Sequence, residues 1–456
     1  MIQEEKNKLF PLVIICCLGV LIYSNTFLGP FHFDDLYTIV DNPAIKHLSS
    51  LGNIWIFFPV RFIAYFSFAL NYQIHQLNVV GYHIVNLIVH LGAASLLYWL
   101  VSLTLITPAM REEKAAHQGK LLAFFVALVF LAHPIQTQGV TYITQRTTSM
   151  AALFYLASLG CYAKFRLQQS SGSAQQAYYF AALITAVMAM FTKEMSITLP
   201  LAICLYEFSF FKTNKSFNYK SLVPFLATLL VIPLTMLATR SVTFREMWRA
   251  TEETVNISPW HYLLTKLMVI VTYIRLTFLP FNQNLDYDYP IATTLWSIPV
   301  LFGLFVLAGC IIAAFKLFRS YRLISFGIFF FFLTLLFEWS IIPIPEVIYE
   351  HRLYLPMAGF SIFLVSSLYY LFRNKSFKTL LTILIILILT YSGLTYLRNN
   401  VWKDELTLWD DTVRKSPHKS RPYYNRGVAY QKMGDLNQAF LDFNKAIEID
   451  QKNADA

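Results

Sequence analysis

Charge is what this chain has least of. Only 14% of its 456 residues are Asp, Glu, Lys or Arg, against roughly 25% in an ordinary soluble domain. That shortage excludes a soluble enzyme. Cysteine is scarce too: Cys16, Cys17, Cys161, Cys204 and Cys310 each sit inside an apolar run, and no C-x-x-C pair or Cys/His ligand spacing occurs. A disulfide scaffold and a zinc motif are thereby excluded. Gly (16) and Pro (18) are too few for a collagen or low-complexity chain. No cleavable signal is evident, because the first apolar run, 9–28, is too long for a signal core and lacks a small-residue cleavage site.

What is present is hydrophobic. Apolar residues make up 56% of the chain, with 40 Phe and 27 Tyr, and the mean hydropathy is +0.51. Runs of spanning character fall near 9–28, 83–106, 120–133, 148–165, 177–192, 195–211, 221–238, 261–281, 295–315, 323–342, 356–372 and 377–397. The composition predicts an all-α, polytopic membrane protein. Its net charge is +10. The cations cluster in short loops between apolar runs, which points to topology and not to nucleic acid.

Walking those loops sets the orientation. Lys6 and Lys8 hold the N-terminus in the cytoplasm, and Arg111, Lys114 and Lys120, then Lys164 and Arg166, then Lys212, Lys215 and Lys220 mark later cytoplasmic loops. The pattern fails if 261–281 crosses the membrane, since the loops Lys316-Arg319-Arg322 and Arg373-Lys375-Lys378 would then lie outside. That run also carries His261, Lys266 and Arg275, and charges at mid-bilayer cost at least a few kcal/mol each. It is therefore read as interfacial or re-entrant, which leaves about 11 spans, the N-terminus inside and the C-terminus outside. The stretch 53–74, with Arg61, is read as a helix lying on the outer surface. This parity gathers the unusual polar clusters on one face.

Beyond Arg398 the chain turns polar. The domains predicted are a transmembrane unit over 1–398 and an extracytoplasmic helical segment over 399–456. Residues 420–453 read as one tetratricopeptide (TPR) unit, with Gly427, Tyr430, Gly434, Ala439, Phe443 and Ala446 as landmarks. Arg426 stands where Leu is common, and Gln451 where Pro is usual. Leu408-Trp409 followed by Pro417 reads as the second helix of a degenerate earlier repeat. One and a half repeats cannot bury their own faces, so either the segment docks on the membrane unit or the chain ends early.

Several clusters can carry chemistry. Asp34-Asp35 directly follows the first span and suits a general base or a metal site, although solvated loops also contain such pairs. His83, Asn86 and His90 share one helical face, as inward-facing or interhelical hydrogen-bonding groups do. His133-Pro134 through Gln138 to Arg146 supplies a cation and amides at the membrane surface, where Arg146 could also anchor its helix by snorkelling. Lys193-Glu194 breaks an apolar stretch too long for one span, as a binding pair or a self-neutralising hairpin. Asp286 and Asp288 read as a solvated loop. In Glu350-His351-Arg352, Arg352 can hold a phosphate by paired hydrogen bonds, with Glu350 orienting it.

These motifs, with Arg61, Asn71-Tyr72 and Trp402, run in order along the chain. In combination the sequence resembles the transmembrane-and-TPR (TMTC) proteins and their bacterial relatives, within the GT-C superfamily of membrane glycosyltransferases. The resemblance implies a polyprenyl- or dolichyl-phosphate-linked sugar donor, often mannose, used at the outer or lumenal face. It implies a catalytic acid in the first external loop, here Asp34 or Asp35. Animal members often have Glu where this chain has Gln138, so no acidic role is carried to that position. Acceptor recognition is not carried over either, because the repeat region is short. A bacterial inner membrane or the endoplasmic reticulum fits; the short repeat region favours the former.

The chemistry agrees with the residue types. A lipid phosphate already leaves well, so the site needs one base and cations for the departing phosphate, not the two flanking carboxylates of a glycosidase. Asp34 or Asp35 is the expected base, with inversion. Arg146, Lys193, Arg352 and His133 are expected at the donor phosphate, supported by His83, Asn86, His90, Glu194 and Glu350. No cofactor is expected; a divalent metal on Asp34/Asp35 lacks a third ligand in sequence. The expected partners are the lipid-linked donor, membrane lipids and a secreted or envelope protein whose Ser/Thr accepts the sugar. Two other classes compete. A lipid-linked sugar transporter would show inverted repeats and midplane polar groups, and a non-catalytic TPR scaffold would not need the external clusters.

Overall fold

The computed structural model of the protein describes residues 2–49, 51–168, 172–211, 219–239, 257–339, 346–373 and 376–451, apart from the side chains of residues 2–8 and 114. Lys212, Lys215, Lys375 and the end of the repeat beyond Gln451 lie outside the described residues, as do the side chains of Lys6, Lys8 and Lys114. Among the described residues there is no β-strand, and the protein is all-α as expected.

The membrane part is a bundle around one apolar core built from nearly every helix. Among the described residues, four helices are long and apolar enough to cross a membrane: Val79–Thr104, Tyr219–Thr239, Ile298–Leu317 and Phe377–Trp402. Gly119–Ala132 with Pro134–Val140 forms a pair bent by 54° that would pass as one span. Among the described residues, length and composition alone thus single out four to six spans, against the about 11 read from the sequence. Several runs fold into shorter helices, such as Leu199–Phe210 (12 residues) and Arg322–Leu335 (14 residues), against about 20 residues for a full crossing. The missing length is taken up by 3-10 turns, at Glu194–Thr198 and Leu336–Trp339.

The first-loop helix also differs from expectation. It is two helices, Leu51–Phe57 and Pro59–His75, bent by 114°. Pro59 has no N–H to continue the helix and starts a new one. Arg61 stands at that corner. Ile39, Ile54, Tyr65, Phe68 and Tyr82 pack into a second small core that fixes the loop to the bundle.

The helix Pro259–Phe278 runs alongside Ile298–Leu317: Leu264 packs with Val300, and Ile274, Thr277 and Phe278 share an apolar cavity with Cys310, Ala313 and Leu317. Lys266 Nζ donates to Val347 O at 2.7 Å, Tyr273 Oη to Tyr349 O at 2.9 Å, and the Thr277 carbonyl lies 3.0 Å from His133 Nε2. Those partners belong to loops that interlock with one another: Gln138 accepts from His351 N and donates to Asn284 O. At the far end of the helix Arg146–Leu167, roughly 30 Å away at 1.5 Å per residue, the fully buried Glu207 is clamped by Arg166 (2.7 and 2.8 Å) and Tyr162 (3.0 Å).

The C-terminal segment docks. Helices Glu405–Lys415, Ser420–Lys432 and Leu436–Ile449 follow the last long helix. Gly427 lets the repeat helices approach, since a Cβ there would lie 2.7 Å from Phe443 Cε1. Gly434 ends the first helix at φ +82°, a conformation open to glycine. Arg426, the departure from the repeat pattern, makes paired bonds to Asp442 at 2.8 Å and one to Asp410 at 3.0 Å. It thus ties the repeat to the preceding helix. Trp402, Leu408 and Trp409 form a third core with Tyr142 and Leu285 of the membrane part, which seats the helix before the repeat on that part.

Candidate active site

The two adjacent carboxylates of the first loop face different surroundings. Asp35 is 0% exposed, and its oxygens accept from His32 N at 3.0 Å and Thr144 N at 2.7 Å. Burial pushes its carboxyl up to about 8, against those two amides. Asp34 is exposed and lines a cavity of about 410 Å³ together with Tyr37, Phe57, Phe58, Arg61, Tyr65 and Gln145. Its backbone N–H donates to Tyr142 Oη at 3.0 Å. The cavity walls desolvate the Asp34 carboxyl and raise it above the ordinary range, with Tyr142, Arg421 and Arg61 pulling the other way.

Arg61 lines the same cavity, and Lys193 lies against its Gln145 wall. Arg61 is held by Glu194 at 3.0 and 3.1 Å and lies over the Phe58 ring. The self-neutralising hairpin is not what forms, because Glu194 pairs with Arg61 and not with Lys193. Lys193 Nζ lies 3.2 Å from Gln145 Oε1 and also donates to Thr148. It has no carboxylate partner among the described residues. Burial, then repulsion from Arg61, lowers its ammonium to about 7. Arg352 pairs with Glu338 at 2.9 Å and lies over the Tyr349 ring. His351 stacks on Tyr349 at 4.9 Å, and its Nδ1 has no hydrogen-bond partner among the described residues. Burial and the neighbouring Lys193, Arg352 and Arg61 hold it neutral. Arg61 and Arg352 are thus each paired with a carboxylate, Glu194 and Glu338, whereas Lys193 has neutral partners and could take an anionic one.

Other residues singled out from the sequence are structural. Arg146 is 0% exposed. Its guanidinium bonds Asn86 Oδ1 at 2.6 Å, Tyr82 O at 3.1 Å and Ser67 O at 3.3 Å, and it lies over the Phe68 ring. Asn86 in turn donates to Val140 O and Ile143 O. His83 bonds Gly29 O, and His90 bonds Tyr354 Oη and Leu131 O. His133 holds Thr277 O and accepts from Ile135 N. Glu350 accepts from Gln283, the Asn284 amide and Tyr287, at 2.5 to 3.0 Å. These groups lock the loops whose tips carry the cavity.

The sequence is similar along nearly all of its length to longer animal proteins. The C. elegans protein O-mannosyl-transferase F38B6.6 is 27% identical over 96% of this chain and 62% of its own length. Drosophila protein O-mannosyl-transferase Tmtc3 is 23% identical over 98% of the chain and 56% of its own length. Human protein O-mannosyl-transferase TMTC1 is likewise similar, at 23% identity over 96% of the chain and 54% of its own length. The chain therefore spans between 54% and 62% of these relatives. The tetratricopeptide repeat family model matches residues 420–453. Among solved structures, ArnT from Cupriavidus metallidurans bound to undecaprenyl phosphate matches with a TM-score of 0.46 and 13% identity, over 96% of this chain and 76% of that one.

Sequence reasoning missed Glu338, Glu346 and Asp286 as members of this neighbourhood. Asp286 is not in a solvated loop. It is 2% exposed and held by both Lys419 and Arg421. Burial pushes its carboxyl up, but those partners outweigh it and hold it below the ordinary value. Arg421 also reaches Glu346 at 2.7 Å. The signal available in sequence was the Arg421 position at the start of the repeat, where nothing in the repeat itself calls for a cation.

Proposed function

We propose that the protein is a membrane glycosyltransferase that moves a mannose-like hexose from a polyprenyl-phosphate donor to a hydroxyl of a protein Ser or Thr. The transfer takes place on the extracytoplasmic face and inverts the anomeric carbon. The observation that carries this reading is an exposed carboxylate, Asp34, in one cavity with Arg61 and beside Lys193, which has no carboxylate partner among the described residues. The names of the similar proteins, protein O-mannosyl-transferases, support the sugar and the acceptor class.

In this scheme Asp34 accepts the proton of the acceptor hydroxyl. The oxygen attacks the anomeric carbon from the side opposite the phosphate, the new C–O bond forms, and the bond to the phosphate oxygen breaks with its electrons. Lys193 and Arg352 receive the negative charge that develops on the leaving phosphate. The leaving group is stable as an anion, so no general acid is required. Asp35 holds the loop and does not take part in proton transfer.

No metal enters the scheme. Among the described residues no three His, Cys, Asp or Glu side chains form a ligating group, and the oxygens of Asp35 are already bonded to backbone amides.

The test uses the full chain in lipid nanodiscs, with undecaprenyl- and dolichyl-phosphate [³H]mannose and a secreted-protein extract. Label is expected in protein, released by alkaline β-elimination, and unaffected by chelator. Label in lipid or glycan alone removes the protein-acceptor part, and no transfer from either donor overturns the reading.

A further inference from the structure

Phe33, the residue before Asp34, has φ +45°. A bulky L residue rarely adopts this left-handed region, and such a conformation persists only where its surroundings over-determine it. Here the surroundings come from the C-terminal segment. Trp409 meets the Phe33 ring edge-on at 5.7 Å, and the Arg421 guanidinium lies over the ring at 5.3 Å. Arg421 is itself fixed. Its Nε and Nη2 donate to the two oxygens of Asp286 at 2.6 and 2.7 Å, and its Nη1 donates to Glu346 at 2.7 Å. One side chain of the repeat therefore joins three pieces of the site's rim: the loop before Asp34, the Asp286 loop and the segment leading to Glu350-His351-Arg352. Tyr142, which receives the Asp34 amide, packs against Trp402 at 5.3 Å, so a second tie to Asp34 also runs through the C-terminal segment.

We propose that Arg421 is a positioning residue: with Trp409 it clamps Phe33 in its left-handed turn and so aims Asp34 into the cavity. The repeat is then part of the catalytic unit and not only a surface for acceptors. This rests on the transferase reading with Asp34 as the base.

The test compares the full-length wild type with R421A, R421K and the surface control K445A in nanodiscs. Three quantities are read: transfer kinetics with polyprenyl-phosphate mannose, thermal unfolding, and amide hydrogen exchange. R421A is expected to lower kcat by about tenfold or more, the scale on which a small misplacement of a reacting group acts. KM for the donor should stay within about twofold, since no donor contact is lost. Exchange should rise at residues 33–36 and stay unchanged in the helix Val79–Thr104. R421K keeps the charge but not the forked pairing, and should fall between the two. If R421A does not fold, R421K carries the same comparison. Unchanged kcat and unchanged exchange at 33–36 overturn the clamp. So does a loss of kcat that comes with a lower unfolding temperature and faster exchange throughout. If the wild type itself transfers no sugar, the transferase reading fails, and local exchange at 33–36 still decides whether the clamp exists.

Discussion

Asp34 and Asp35 are neighbours in the chain but opposites in environment: the first opens on the cavity, and the second is sealed against the backbone amides of His32 and Thr144. A general base must reach its substrate, so the pair divides into a chemical and a structural carboxylate. Asp34→Asn is expected to lower kcat by about 10² or more with an unchanged unfolding temperature. Asp35→Ala leaves two buried N–H groups without an acceptor, and should destabilise the protein by about 2 kcal/mol. Equal effects of the two substitutions on kcat, without loss of stability, would remove the division.

The pH profile should report both charged walls of the cavity. Lys193 is protonated below about pH 7 and neutral above it. A donor phosphate loses a counter-charge as pH rises, so kcat/KM should fall through an alkaline limb near 7 in the free enzyme. On the acid side, Asp34 must be ionised to accept a proton. Its raised carboxyl places that limb above the ordinary carboxylate range. Lys193→Met is expected to lower kcat/KM at about pH 6 and to abolish the alkaline limb. An unaltered limb in that variant rules out Lys193 as its source.

Glu350 gives a prediction about architecture. Its carboxylate is the common acceptor for Gln283, the Asn284 amide and Tyr287, and so fastens the loop that carries Asp286. Glu350→Ala strands several buried donors, each worth about 1 to 3 kcal/mol when left unmade. A loss of about 3 kcal/mol in stability is expected from thermal unfolding in nanodiscs. A fall in kcat should accompany it, because Asp286 holds Arg421.

The sequence made the helical class and the neighbourhood of the site legible for a physical reason. Apolar runs and loop charges are local features, and a membrane protein cannot hide them. Asp34, Lys193 and Arg352 stood out because charge is rare in this chain. What was not legible was partnership. Asp286 meets Arg421 across 135 positions and Arg61 meets Glu194 across 133, and no spacing rule encodes such distances. For the same reason Asp34 could not be told from Asp35: their difference lies in which distant amides close over one of them. The corner at Pro59 was written in the sequence, and reading 53–74 as one helix overlooked it.

Arg146 and Lys193 test whether rarity of charge marks function or packing. Both were expected at the donor phosphate from position alone. In the fold Arg146 bonds Asn86, Tyr82 and Ser67 and lies over the Phe68 ring, while Lys193 has only Gln145 and Thr148 among the described residues. A guanidinium already engaged on several sides has little left for a ligand, and its planar fork is what those partners fit. Arg146→Lys should therefore lower the unfolding temperature and leave the donor KM within about twofold for the protein that remains folded. Lys193→Met should do the reverse, raising KM about tenfold or more, as loss of a charge-assisted phosphate bond in a desolvated site implies, with no loss of stability, because it removes a buried cation that lacks a carboxylate. A rise in KM for Arg146→Lys at constant stability would return Arg146 to the binding site and require its present partners to release it when donor arrives.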